Sequence, residues 1–180
     1  MICPFCGYDN IPGMDRCEEC MHPLRDLDVP RPTEGLQKHI MQDAVKLLNL
    51  AHPVNVQAGD SVARTIELMK QHRVGCALVL EGERLVGIFT ERDILFNLAG
   101  TQQDLERLTM RRAMIPEPVT LKLEDSMAMA LHHMSVGGFR HLPVVAKDGS
   151  PLGLISIKDI LGYIYEKVLH ARAEEMAQGM

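Results

Sequence analysis

The sequence predicts an α+β protein in which a small four-cysteine head precedes one β-α-β-β-α unit written twice. Three observations carry that prediction. Four of the five cysteines fall in the first twenty residues, as Cys3-Pro-Phe-Cys6 and Cys17-Glu-Glu-Cys20. The stretch that begins at Pro53 recurs 65 residues later, and its last segment recurs 66 residues later. Apolar residues make up 46% and charged residues 24% of the 180 residues, the balance of a folded globular chain. Aromatics reach only 4%, with no Trp and twelve Met, so the core is aliphatic and methionine-filled, and base stacking on single-stranded nucleic acid is disfavoured.

The head is a metal site by spacing. Two thiolates three positions apart in a tight turn can face one ion, and two such knuckles close a tetrahedral sulfur cage for zinc, or for iron of the rubredoxin type. Cys3, Cys6, Cys17 and Cys20 are the expected ligands. A thioredoxin-like redox pair is the competing reading, but that motif starts a helix after a buried strand, and no strand precedes Cys3. His22 is a spare ligand the cage does not need. Four ligands leave no open position, so the site is structural, and a head this small needs the metal for its folding energy. The head resembles the short zinc ribbons of bacterial and archaeal proteins: Cys3, Pro4, Cys6, Gly7, Cys17, Cys20 and Leu24 match, while Met21 stands where a second Gly is usual.

Charge placement limits what the head can bind. The chain carries −5, and residues 1–34 hold three arginines against seven carboxylates, so most of the excess sits there. Four thiolates around one Zn²⁺ add further negative charge. This argues against nucleic acid and favours docking a protein or capping a dimer. No apolar run is long enough to span a bilayer. The opening residues carry neither a basic nor an apolar leader segment, which makes the cytosol the expected compartment.

Residues 27–35 read as an extended linker after a head of residues 1–26. The body divides into residues 36–110 and 111–180. Pro53-Val54 recurs as Pro118-Val119, Asp60-Ser61 as Asp125-Ser126 and Met69 as Met134. Gly87-Ile-Phe-Thr90-Glu-Arg-Asp93 recurs as Gly153-Leu-Ile-Ser156-Ile-Lys-Asp159, with one residue added in a turn near Lys147–Ser150. In each unit a short strand leads to a helix capped by Ser61 or Asp60, then to an apolar strand at Cys76–Leu80, a hairpin, a second strand, and a helix opened by Thr90. The second unit ends in a longer helix from Ile157 towards Gln178. Leu36–Leu50 reads as a leading amphipathic helix with Leu36, Ile40, Val45, Leu47 and Leu48. The adjacent pair His132-His133 reads as solvated helix surface. Met110, Met114, Met127, Met129 and Met134 read as packing residues, and Cys76 as core.

This order and these residues resemble a tandem pair of cystathionine-β-synthase (CBS) domains, over about residues 45–170. The second unit fits best, from Arg111-Arg112-Ala113-Met114 through Pro118-Val119-Thr120 and Gly138-Phe139-Arg140-His141-Leu142-Pro143 to Gly153–Asp159. The resemblance implies two units packed sheet against sheet as a pseudo-symmetric pair, a homodimer, and an adenosine-nucleotide site on the repeated Gly-x-x-[Thr/Ser]-x-x-Asp motif. It implies that Asp93 and Asp159 take the ribose, and that Gly87, Gly153, Thr90 and Ser156 serve close approach and hydrogen bonding. Pro118, Val119 and Thr120 would line the base, and Arg140 and His141 would reach phosphates. The first unit has Gly75 and Cys76 in place of that last pair, so one good site and one weak or empty site are expected. From the residues alone the motif has a second reading, a capping box in which the hydroxyl and carboxylate serve only the helix start.

The implied function is a non-catalytic regulatory sensor for AMP, ADP, ATP or S-adenosylmethionine, with a metal-bound ribbon that docks a protein partner. A ligand-free scaffold or transcription cofactor and a rubredoxin-like iron protein are the alternatives. No catalytic triad, phosphate loop, open metal site or carboxylate pair points to an enzyme. The C-terminal helix, with Val168, Leu169, Ala173 and Met176, is the candidate dimer contact.

Overall fold

The computed structural model describes residues 2–3, 5–11, 14–24, 39–40 and 42–178, with side chains to residue 170. The expected linker, Leu36, Pro4 and the side chains of Ala173 and Met176 lie outside these. After a 3-10 turn at Val45–Leu47 come β1 (Val54–Gln57), α1 (Val62–His72), β2 (Cys76–Glu81), β3 (Arg84–Thr90) and α2 (Glu91–Asp93), which runs into a π-helical turn at Ile94–Leu98. Then follow α3 (Met110–Ala113), β4 (Ile115–Pro116), α4 (Met127–Gly137), β5 (His141–Val145), β6 (Pro151–Ser156) and α5 (Ile157–Gln178). The chain forms two compact units that interleave along the sequence. One is Asn49–Leu123 with His141–Ile155; the other is Met1–Leu48 with Glu124–Arg140 and Ser156–Met180.

The first of these units is organised by β2. It pairs in parallel with β1, Val56 opposite Val79, and antiparallel with β3, Leu78 opposite Ile88 and Ala77 opposite Phe89. Successive residues of a strand point to opposite faces, so a strand covered on both sides must be apolar throughout. The run Cys76–Leu80 is buried at every position. Ala77 and Val79 join Val56, Val62, Met69, Phe89 and Met110 on one side. Cys76 and Leu78 join Ile88 and Leu154 on the other. Leu154 belongs to β6, so a strand of the second repeat covers the first repeat's sheet.

Helix ends follow the repeat. Ser61 accepts the Arg64 N–H at 3.2 Å and caps α1, while Asp60 accepts the Gln57 N–H at 2.8 Å, which assigns the cap to the serine. Ser126 caps α4 in the same way, through the Met129 N–H at 3.1 Å. Both helices end on a left-handed residue, Gly138 at φ 64° and Arg73 at φ 54°. Only glycine takes that conformation without cost, so the first repeat retains a strain that the second avoids.

Two expectations are corrected. The first strand of the second unit shrinks to one parallel bridge, Leu121 opposite Val144, the pair equivalent to Val56 and Val79. Pairing is restricted to Leu121, whose N–H reaches Pro143 O at 2.9 Å and whose carbonyl takes the Val145 N–H at 2.8 Å. The leading segment is also not one amphipathic helix. His39, Ile40 and Gln42 are helical, but Ala44 is extended and bridges Ser126, and Leu48 is extended again. The Val45 N–H bonds Asp125 O at 2.8 Å and the Met127 N–H bonds Asp43 O at 3.0 Å; pairing with the start of α4 wins over continued helix. Val45 is fully buried, whereas Leu47, expected on the apolar face, is 56% exposed.

The same segment is tied to α5 by a polar cluster. Asp43 Oδ2 accepts from the Tyr163 hydroxyl and lies 2.8 Å from His39 Nδ1. Burial would raise the Asp43 carboxyl, but the bonds from Tyr163 and His39 outweigh it and hold it below the ordinary carboxylate range. A depressed carboxyl contributes stability above its unfolded pKa of 3.8 and loses it as pH falls through its folded value. Asp43→Asn is therefore expected to lower the melting temperature at neutral pH, with the gap to the parent chain closing in acid. Calorimetric scans from neutral pH to below pH 3.8 check this, and a constant gap would contradict it.

Candidate functional site

The head is built from two similar knuckles. Ile2 bridges Asp9 and Arg16 bridges Pro23. The Cys3 N–H bonds Tyr8 O and the Cys17 N–H bonds His22 O, both at 2.8 Å. The Gly7 N–H returns to Cys3 O and the Met21 N–H to Cys17 O, both at 2.9 Å. Gly7 (φ 75°) and Met21 (φ 58°) share the left-handed turn, so Met21 occupies the glycine conformation with an exposed side chain.

These turns bring four sulfurs together. Cys3 and Cys20 Sγ lie 3.7 Å apart, Cys6 and Cys17 Sγ lie 3.5 Å apart, and all four fall within 4.8 Å of one another. A zinc tetrahedron with Zn–S bonds of about 2.3 Å needs sulfurs about 3.8 Å apart, so the cluster fits a thiophilic ion. Its electrostatics are uneven. Burial works to raise Cys17, but the backbone N–H groups of Cys20 and Glu19 and the Asn10 side chain outweigh it and draw the thiol down to about 6. Burial pushes Cys6 and Cys20 up. Asn10 is buried; its side-chain oxygen takes the Glu18 N–H at 2.9 Å, a supporting role that the cysteine spacing does not reveal.

The two repeated motifs share one geometry. Asp93 Oδ2 accepts the Thr90 N–H at 2.8 Å and the Thr90 hydroxyl at 2.7 Å. Asp159 Oδ2 accepts the Ser156 N–H at 2.6 Å and the Ser156 hydroxyl at 2.7 Å. This is the carboxylate half of a capping box, built twice. In both places the bonds converge on Oδ2, and no described residue bonds Oδ1. Asp93 is buried and Asp159 half-buried. Thr90 sits opposite Cys76 in the sheet register, which fixes the first motif at the start of β2.

The glycines of the motifs lie within strands and face the protein's own chain. A Cβ on Gly153 would meet Leu50 Cβ at 2.7 Å and Ala51 O at 3.1 Å; one on Gly87 would meet Ile115 O at 3.1 Å. Pro118 and Thr120 are half-buried and Val119 is exposed, on the segment tied to β3 by the Glu117 N–H bond to Val86 O at 3.2 Å. His141 is half-buried at the head of β5. Arg140 is exposed and pairs with no acid among the described residues. Gly87, Thr90, Asp93, Pro118–Thr120, His141 and Gly153 belong to one compact unit; Arg140, Ser156 and Asp159 belong to the other.

His132 is not a solvated surface residue. It is half-buried on α4, with its ring centroid 5.3 Å from Phe5 and 5.1 Å from His22, which themselves touch. Burial and the neighbouring His132 lower the pKa of His22, and the same two causes lower that of His133. No sequence signal marked this cluster, since His132 lies more than a hundred residues from both Phe5 and His22 in the chain.

A family model for the CBS domain matches residues 40–100 and again 110–166. The chain belongs to the CBS-domain family. A CBS domain-containing protein of Arabidopsis thaliana is 31% identical over 105 residues, 58% of this chain but 19% of the relative. An uncharacterized 33.4 kDa protein of Thermofilum pendens is 31% identical over 154 residues, 84% of this chain and 49% of the relative. This chain therefore spans half or less of the length of these curated relatives. Among solved structures, a CBS domain protein of Pyrobaculum aerophilum complexed with AMP superposes with TM-score 0.59 at 27% identity, covering 64% of this chain and 88% of that one. Among the described residues, no helix is long and apolar enough to cross a membrane.

Cys76, the fifth cysteine, is buried, and burial followed by the charge of Glu91 pushes its thiol up to about 11. At pH 8 it is protonated and enclosed, so iodoacetamide should leave it unmodified in the folded chain and alkylate it after denaturation. Mass spectrometry of the Cys76 peptide checks this; modification in the native state would contradict it.

Proposed function

We propose that this chain is a non-catalytic sensor of the cytosol that binds an adenosine-type nucleotide or S-adenosylmethionine through its CBS pair. The observation that carries the reading is the pair of motif carboxylates, each with Oδ2 committed to its helix start and Oδ1 left for a ligand. One oxygen of an oriented carboxylate can accept from a ribose hydroxyl without dismantling the cap. Asp93 and Asp159 are assigned to the ribose, Thr90 and Ser156 to ribose or phosphate, and Pro118, Val119 and Thr120 to the base. Arg140, without an acidic partner among the described residues, and His141 are assigned to phosphates, while Gly87 and Gly153 let the strands that carry the motifs pack closely. The AMP in the Pyrobaculum aerophilum relative supports the ligand class.

The head, residues 1–26, is assigned a structural zinc ion held by Cys3, Cys6, Cys17 and Cys20, with units 36–110 and 111–180 as the two CBS repeats. Zinc supplies the folding energy that a core of Cys3, Cys17 and Leu24 cannot. A ligand-free scaffold is the second reading; in its favour, both carboxylates already have a structural job.

Isothermal calorimetry with AMP, ATP and S-adenosylmethionine in turn tests the first reading. Micromolar binding of at least one is expected, weakened about ten- to a hundredfold by Asp159→Ala or Asp93→Ala, from roughly 1.5–3 kcal/mol per charged hydrogen bond. No heat and no thermal shift with any of the three would overturn it. Metal analysis of the purified protein separates one colourless zinc per chain from iron, which would absorb in the visible.

A homodimer is part of the same proposal. Leu161, Tyr165 and Leu169 stand four residues apart on α5 and are 56%, 64% and 47% exposed. That spacing places them along one helix face, an apolar stripe suited to a second copy. Light scattering should give twice the chain mass of 20.1 kDa, and Tyr165→Glu should shift it towards the monomer. A monomer for the parent chain at micromolar concentration would contradict it.

A further inference from the structure

The head and α4 belong to the same compact unit, and their contact is made by rings. Phe5 stands between two ligands, Cys3 and Cys6, so the first knuckle fixes its direction. His22 follows Cys20, and its carbonyl takes the Cys17 N–H at 2.8 Å, so the second knuckle fixes its backbone. Both rings converge on His132, at 5.3 and 5.1 Å between centroids, and His133 lies 5.9 Å beyond. Apart from the ligand cysteines, the described head packs only Leu24, Phe5 and Met14 into its cluster. Among the described residues of the head, only the knuckle backbone and this small cluster support Phe5 and His22, so the aim of the two rings depends on the four sulfurs being held together.

We propose that the surface of α4 around His132 is the docking site for this chain's own metal-loaded head, a clasp that opens when the metal leaves. The proposal rests on the metal reading of the four cysteines. The metal organises the knuckles, the knuckles aim Phe5 and His22, and those rings cover His132. By thermodynamic linkage the contact also works in reverse: whatever the rings add to the docked head is added to metal retention. The partner of the ribbon is thus the second repeat of the same chain, and access to α4 depends on a thiophilic divalent ion.

The test uses the full-length chain loaded with zinc. Diethylpyrocarbonate modification of His132, read by mass spectrometry, is expected to be slow in the zinc-loaded protein and fast after chelation, while circular dichroism shows that α4 and α5 persist. This arm needs no variant. In the second arm, zinc transfer to a chromogenic chelator should be about two- to tenfold faster for His132→Ala, the range a ring contact supplies. His72→Ala, at the exposed end of α1, should match the parent chain. A chain that binds zinc but shows equal His132 reactivity with and without it overturns the clasp, as does an unchanged transfer rate in His132→Ala. A chain that takes up no zinc, cobalt or iron overturns the metal reading, and the clasp falls with it.

Discussion

The structure of the sheet-bearing unit depends on one constraint, that β2 is covered on both faces. A strand in that position has no solvent side, so Cys76–Leu80 must be apolar at every residue, and its neighbours are set by which face each residue serves. Ala77 and Val79 face α1, α3 and Phe89 of β3 on one side. Cys76 and Leu78 face Ile88 of β3 and Leu154 of β6 on the other. Because Cys76 lies opposite Thr90, the same strand also decides where the first motif stands. The backbone bond from the Glu91 N–H to Gly75 O, at 3.0 Å, holds the start of α2 against the start of β2. A packing requirement therefore positions a polar device, and the carboxylate of Asp93 is buried as a consequence rather than by its own preference.

Much of this was legible in the sequence because the signals were local and doubled. Ser61 and Ser126 announce helix starts by a side-chain bond three residues long. The apolar run at Cys76 announces a two-sided strand. The spacing of four cysteines announces the cluster in which their sulfurs meet. Repetition helped again: Val56 and Val79 predict the pairing of Leu121 and Val144 even though the second strand does not form. What stayed hidden was settled by partners distant in the chain. Leu36–Leu50 has helical periodicity, yet Ala44 straightens to meet Ser126, a competition that periodicity cannot express. His132 carried no pattern at all, since its neighbours are Phe5 and His22.

The candidate carboxylates sit between structure and recognition. A capping box stabilises a helix start by about 1 kcal/mol and is common for that reason alone. Here it also orients its acid, so that one oxygen is spent and the other is held in a fixed direction. Rotamer freedom that a flexible aspartate would surrender on binding has already been removed by the Thr90 and Ser156 hydroxyls. In the proposed site the two uses of the motif therefore reinforce each other. The asymmetry between the repeats lies outside it, where Arg140 and His141 stand in the second unit and Gly75 and Cys76 in the first.

The interleaving of the compact units has a consequence for synthesis. The apolar side of β2 that carries Cys76 and Leu78 is covered by Leu154, which the ribosome adds last among the members of that cluster. Until then the first repeat has its helix, its hairpin and its other face, but one sheet surface open to water. Repeats that each closed their own core could fold in turn as they emerged. In this pair the first copy closes one face with its own residues, and its other face is finished by a residue of the second copy.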